Sequence, residues 1–204
     1  MKRVKNMKLL LTGFVPFLDN PINPTEEIVK RLDGKEINGY TIETAVLPVD
    51  FAESEQRVLA EIREKQPDVV IMLGLAAGRS KITPERIAIN VKDGAADNNG
   101  YTPVDEPIDA NGPDGLFSTL PIRNMVTKLK ENNYPATISN TAGAYLCNNI
   151  MYAAINEARK SEEPFSAGFI HIPASHELAI QNDRLPSWSL DDLTESIKIC
   201  IEAL

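Results

Sequence analysis

An α/β fold is predicted, one domain built on a mostly parallel, twisted sheet with helices on both faces. Three observations predict it. Apolar runs alternate with amphipathic stretches along the whole chain, the order that successive strand–helix units produce. Residues 67–73, Pro-Asp-Val-Val-Ile-Met-Leu, are apolar at both parities, as a central parallel strand buried on both faces must be. A chain of 204 residues can bury one substantial core, so residues 1–204 are assigned to a single domain.

The elements follow in order. Residues 8–12 read as a buried first strand. Residues 13–20 read as a loop carrying Phe14 and Phe17. Asn23, Pro24 and Glu26 have the residue types of a helix N-cap, first turn and third position, and this helix ends near Gly34. Residues 40–47 form a second strand. Asp50 caps a helix running to about Gln66, with Glu53 three residues on. After the 67–73 strand, residues 86–91 alternate and read as a strand or hairpin arm. Residues 93–118 are rich in Gly, Pro, Asp and Asn without a period, and a loop this long is usually functional or an interface arm. A helix of about 12–14 residues is expected after Thr119, ending near Asn132. Residues 136–139 read as a short strand, followed by a small-residue turn and a helix with Cys147, Ile150, Met151, Ala154 and Ala158 on one face. Residues 167–173 are a further strand. A polar loop through Trp188 leads to a terminal helix capped by Ser189.

Composition excludes several classes of function. Net charge is −8, and no basic cluster exists beyond Lys2, Arg3, Lys5 and Lys8, so neither nucleic acid nor an anionic membrane is an expected partner. The apolar run after that cluster is interrupted by Gly13 and Pro16 and reads as a strand rather than a signal peptide. No segment approaches the length of a membrane span. Two cysteines, Cys147 and Cys200, make no disulfide framework, and two histidines, His171 and His176, make no zinc motif. A reduced, cytoplasmic protein without a catalytic zinc site is expected.

The residues that can do chemistry are few. Cys147 falls in the first turn of its helix, where unpaired N–H groups and the dipole favour a thiolate. The same position also fits a small buried apolar residue. His171 lies near the carboxyl end of a strand, on the sheet edge that Cys147 can reach, and an imidazole beside a thiol makes a nucleophile and base pair. His176 sits in a polar stretch and is expected to be exposed. Glu85 is a candidate to orient the imidazole, although sequence alone favours a surface pair with Arg86. Asp93, Asp97, Asp105 and Glu106 are its rivals. Cys200 is expected to pack as a hydrophobe. Walker, dinucleotide and Gly-x-Ser-x-Gly patterns are absent.

Seven blocks in order carry a resemblance over nearly the whole chain. They are Thr12-Gly-Phe-Val-Pro-Phe17, Leu47-Pro-Val-Asp-Phe51, Gly74-Leu-Ala-Ala-Gly-Arg79 and Pro84-Glu-Arg-Ile-Ala-Ile-Asn90. Phe117-Ser-Thr-Leu-Pro-Ile122, Ser139-Asn-Thr-Ala-Gly-Ala-Tyr-Leu-Cys-Asn148 and Gly168-Phe-Ile-His-Ile-Pro173 complete them. Together they resemble the pyroglutamyl peptidase I family of cysteine peptidases. The resemblance implies a catalytic triad of Glu85, Cys147 and His171. It further implies hydrolysis of the amide bond after an N-terminal pyroglutamyl residue, an α/β/α sandwich, a homotetramer and no cofactor. Phe14, Phe17 and Tyr145 resemble the aromatic walls of the family's lactam pocket, and Leu75 is assigned with them.

The sequence departs from the family in three places. Val91-Lys-Asp-Gly-Ala-Ala-Asp97 is one residue shorter than the usual segment and lacks its Arg. Ile172-Pro-Ala-Ser-His176 replaces Val-Pro-Tyr-x-Pro, and Ala144 stands where Thr is usual. Two competing readings follow: a thiol amidase with the same triad and a different acyl group, and a non-catalytic homologue that binds N-blocked peptides.

Overall fold

The computed structural model describes residues 7–17, 22–182 and 184–204. Lys2, Arg3, Lys5 and the 18–20 part of the first loop lie outside the described residues. Strand β1 (Met7–Phe14) is followed by α1 (Pro24–Leu32), β2 (Glu36–Ile37), β3 (Tyr40–Leu47), α2 (Phe51–Lys65) and β4 (Val69–Leu75). Then come β5 (Thr83–Pro84), β6 (Ile87–Ile89), β7 (Gly115–Phe117), α3 (Ile122–Glu131), α4 (Leu146–Lys160) and β8 (Ser166–Ile172). The chain ends with β9 (Ala174–Ser175), α5 (His176–Ala179), β10 (Ser187–Trp188) and α6 (Leu190–Glu202).

The main sheet has the order β2-β3-β1-β4-β8-β5, parallel from β3 to β8 and antiparallel at both edges. Period-two alternation divides the apolar side chains between its faces. Leu9 and Leu11 of β1, Ile71 and Leu73 of β4, and Ile170 and Ile172 of β8 pack under α1, α3 and α6. Leu10, Val70, Met72, Ala167 and Phe169 pack under α2 and α4. The result is the expected α/β/α sandwich. It positions the site because residues of β4 and β8 with the parity of Met72 and Phe169 must face α4.

The caps hold as read: Asn23 accepts from the Thr25 N–H, Asp50 from Glu53 and Ser189 from Asp192. Four expectations change. Strand β1 runs on through Gly13 and Phe14, where a loop was expected. Helix α3 starts at Ile122, because Pro121 restrains the residue before it and Thr119 is tied to β8. The Thr119 hydroxyl accepts from the Ala167 N–H at 2.8 Å instead of capping a helix. Residues 136–139 form two isolated parallel bridges, Ile82 with Ala136 and Glu85 with Ser139, rather than a strand. The ladder has its bonds at residue 82 and at residues 84–86. The bond that would join them needs an N–H on Pro84, which has none. The 93–118 segment is also not all loop, since β7 within it pairs antiparallel with β6.

Candidate active site

β8 delivers His171 to the site. Its parity follows Ala167 and Phe169, so the imidazole faces α4, against the Phe169 ring at a centroid distance of 4.8 Å. In the next strand its register partner is Gly74. A Cβ on Gly74 would lie 2.9 Å from Cys147 Sγ, so the sulfur occupies the space that glycine leaves open beside His171. Thiol and imidazole thus share one face at the carboxyl ends of two neighbouring parallel strands.

Glu85 follows β5, the antiparallel edge strand whose Thr83 pairs with His171. It is fully buried, and its Oε1 accepts from His171 Nδ1 at 2.7 Å. That bond places the proton on Nδ1 and leaves Nε2 as the base. The surface pairing with Arg86 does not occur, because Arg86 Nε donates to Asn140 Oδ1. Arg79 instead reaches Glu85 Oε1, its Nη1 donating at 2.8 Å. Among the rival carboxylates, Asp97 is buried but accepts from the N–H groups of Phe51, Asn99 and Tyr101, and Glu106 accepts from the Tyr101 hydroxyl. His176 is exposed as expected and bonds Ser187.

Electrostatics favour a neutral thiol–imidazole pair at rest. Burial pushes the Cys147 thiol up to about 12, the Glu85 charge adds to this, and Arg79 opposes it. At the thiol, desolvation opposes the lowering that Arg79 and the backbone N–H at the helix start supply. Burial also lowers His171, against the raising effect of Glu85. For Glu85 burial acts upward, but His171, Ser139 and Arg79 together hold the carboxyl below its ordinary value.

Helix α4 begins at Leu146 with Tyr145 as N-cap, and no side chain caps its first N–H groups. These donors remain for an anion. In front of them is a small, open apolar pocket lined by Phe14, Phe17, Asn23, Val49, Leu75, Tyr145, Leu146 and Cys147. All four residues assigned to the wall by sequence are brought together there. Among the described residues, no three His, Cys, Asp or Glu side chains converge as a metal site.

Residues 7–204 match the family model of pyroglutamyl peptidase. A pyrrolidone-carboxylate peptidase of Oceanobacillus iheyensis is 56% identical over 97% of this chain and 98% of its own, and one of Halalkalibacterium halodurans is 51% identical over 96% and 98%. A mutant pyrrolidone carboxyl peptidase of Pyrococcus furiosus superposes with TM-score 0.94 at 42% identity, over 97% of each chain. The pyroglutamyl peptidase I of Bacillus amyloliquefaciens does so at 0.93 and 39%, over 97% of this chain and 94% of its own. The chain belongs to the pyroglutamyl peptidase family.

In this pyroglutamyl peptidase family member the 92–97 loop is held at three points. Asp97 anchors the loop to the first N–H of α2, Tyr145 Oη donates to the Ala96 carbonyl, and the Asp93 N–H donates to the Ala144 carbonyl. Asn148, next to Cys147, donates to the Ile89 and Val91 carbonyls and accepts from the Ile89 N–H. The loop therefore braces the Tyr145 wall. Asn23, Val49 and Leu146 were missed as pocket residues. Asn23 and Val49 lie in or beside helix-start signals and read there as structural. Arg79 was legible only as a block terminus.

Proposed function

We propose that Cys147, His171 and Glu85 hydrolyse the amide bond after an N-terminal pyroglutamyl residue of peptides. The observation that carries this reading is the thiol at the mouth of an apolar pocket, with a carboxylate-oriented imidazole beside it on the same sheet edge. Sγ attacks the pyroglutamyl carbonyl carbon as its proton passes to His171 Nε2. The resulting oxyanion meets the uncapped N–H groups at the start of α4. His171 then gives its proton to the leaving amine as the C–N bond breaks, leaving a thioester. Water loses a proton to His171, attacks the thioester carbon, and the thiol departs with that proton. Glu85 stays ionised throughout and stabilises the imidazolium. No step uses a cofactor.

Phe14, Phe17, Leu75 and Tyr145 enclose the lactam, a flat uncharged ring without a free amine. The pocket they line is small and apolar, which suits a single uncharged ring. A free N-terminal glutamine would bring an unpaired ammonium into it, at a cost of several kcal/mol, so discrimination on the order of a thousandfold is expected. The test compares kcat/KM for pyroglutamyl, glutaminyl and prolyl amides of one fluorophore, with Cys147→Ala as the inactive control. Prolyl or glutaminyl turnover within about tenfold of pyroglutamyl would favour the broader thiol amidase. Binding of pyroglutamyl peptide without turnover would favour the non-catalytic homologue.

We also propose that residues 1–204 act as one catalytic domain and that the chain self-associates, as a tetramer by resemblance. Ile89, Val104 and Phe117 are large apolar side chains exposed on or near the β6–β7 ribbon, which supports a contact between copies. Light scattering of the wild type and of Phe117→Asp measures it. Cytoplasmic residence is supported by two unpaired thiols. Among the described residues no helix is long and apolar enough to cross a membrane.

A further inference from the structure

Arg79 lies between β4 and β5, outside the three side chains assigned to the chemistry, yet its guanidinium meets the elements that carry all three. Nη1 donates to Glu85 Oε1 at 2.8 Å, the same oxygen that binds His171 Nδ1. The same nitrogen donates to Thr83 Oγ1 at 2.7 Å, and Thr83 in turn donates to the His171 carbonyl at 3.3 Å. Nη2 reaches the carbonyl of Thr141, in the turn that leads to the Cys147 helix, at 3.4 Å. The Arg79 side chain is one-third exposed, whereas the carboxylate it holds has no exposure. This differs from a surface ion pair, because one partner is fully desolvated and shared with a functional histidine.

We infer that Arg79 is a positioning residue for hydrolysis: its planar fork fixes the Glu85 oxygen against His171 and ties that pair to the turn before Cys147. Three physical consequences follow. The Glu85 carboxylate, pinned by two donors, cannot rotate away from the imidazole. Part of its charge is neutralised, so it orients His171 without trapping a proton there. The guanidinium's charge also acts on the sulfur and favours its anionic form as the attack begins. The charged and titratable groups acting on His171 are Glu85 and Arg79, and those acting on Cys147 are the same two. A lysine would keep the charge and lose the fork.

This inference rests on the triad proposed above, whose failure would appear separately as turnover by Cys147→Ala. The experiment measures pH profiles of kcat and kcat/KM for Arg79→Gln and Arg79→Lys on a pyroglutamyl coumarin amide, with thermal unfolding followed in parallel. Losing a charge-assisted hydrogen bond predicts a kcat lower by about tenfold to a hundredfold in Arg79→Gln, with KM nearly unchanged. Its acid limb should move up by about one pH unit, since the charge opposing His171 protonation is gone. Arg79→Lys should keep the wild-type limb with an intermediate kcat. An Arg79→Gln enzyme whose acid limb stays in place, whatever its amplitude, makes Arg79 a structural tie only and overturns the inference. If Arg79→Gln does not fold, Arg79→Lys decides: a reduced kcat on an unmoved limb supports the fork, and wild-type kcat overturns it.

Discussion

The two cysteines make a controlled comparison within one molecule. Cys147 and Cys200 both lie on helices, both are unpaired, and both have thiols pushed up to about 12 with burial as the first cause. For Cys200, in the last turns of α6, burial is the only cause, and it packs among apolar side chains on the α1, α3 and α6 face. Cys147 also feels Glu85 and Arg79, stands at an uncapped helix start, and is partly exposed at a pocket mouth. Burial of the thiol is therefore not what separates Cys147, the proposed nucleophile, from a core residue. Separation comes from a neighbouring base, an anion site and access for a ligand.

The largest expected effect tests that comparison directly. Cys147→Ser should lower kcat/KM on the order of ten-thousandfold or more, as loss of a nucleophile does in other triads, with thermal stability near wild type. Cys200→Ser should do the reverse, leaving kcat/KM unchanged while a hydroxyl buried in an apolar core costs about 1–3 kcal/mol of unfolding free energy. Timed iodoacetamide labelling, read by peptide mass spectrometry, should find Cys147 first because access now decides the order. Faster labelling of Cys200, or activity lost with Cys200, would break the comparison.

Gly74 sharpens it. A Cβ there would lie 2.6–2.7 Å from the Phe169 ring and 2.9 Å from Cys147 Sγ, so Gly74→Ala must displace one or the other. Gly168, on the next strand, is equally crowded, but by Ser118 and Leu120. Both substitutions overpack and should cost about 1–3 kcal/mol of stability. Only Gly74→Ala should also lower kcat, by about a hundredfold, the penalty of a roughly 1 Å misplacement. Equal kcat losses in the two folded variants would show that general strain, not the sulfur's seat, is being measured.

Most of the frame was legible because it rests on local patterns. Apolar runs marked β1, β3, β4 and β8, and caps at Asn23, Asp50 and Ser189 marked the helix starts. Failures occurred where a distant partner decides. Residues 136–139 have strand composition, but the missing N–H belongs to Pro84, more than fifty positions away. The same holds in the site. Cys147, His171 and Glu85 could be named from residue type and resemblance, while Arg79 became visible only when its fork met Glu85. The thiol was expected to be depressed because helix position is local and readable, whereas desolvation by packed neighbours is not.

The smallest effect concerns stability rather than rate, and it also separates the two thiol environments. The folded pKa of His171 is lowered by burial, so below its unfolded value near 6.5 the unfolded chain binds a proton that the folded site refuses. Stability attributable to this site is full above that value and is lost as pH falls through the folded pKa. Glu85 acts in the same direction one window lower. Its folded pKa is also depressed, so its contribution is present above about 4.5 and lost as pH falls further. The Cys200 side of the sheet adds no titrating group to its thiol over this range. Urea midpoints measured from pH 7 to pH 4 should therefore decline in the wild type and in Cys200→Ser with the same profile. His171→Gln, which carries no proton to gain, should remain flat between pH 6.5 and 5 and decline only with the carboxylates. A His171→Gln midpoint that tracks the wild type across the upper window would place the acid sensitivity elsewhere in the molecule and remove the neutral buried imidazole from the resting site.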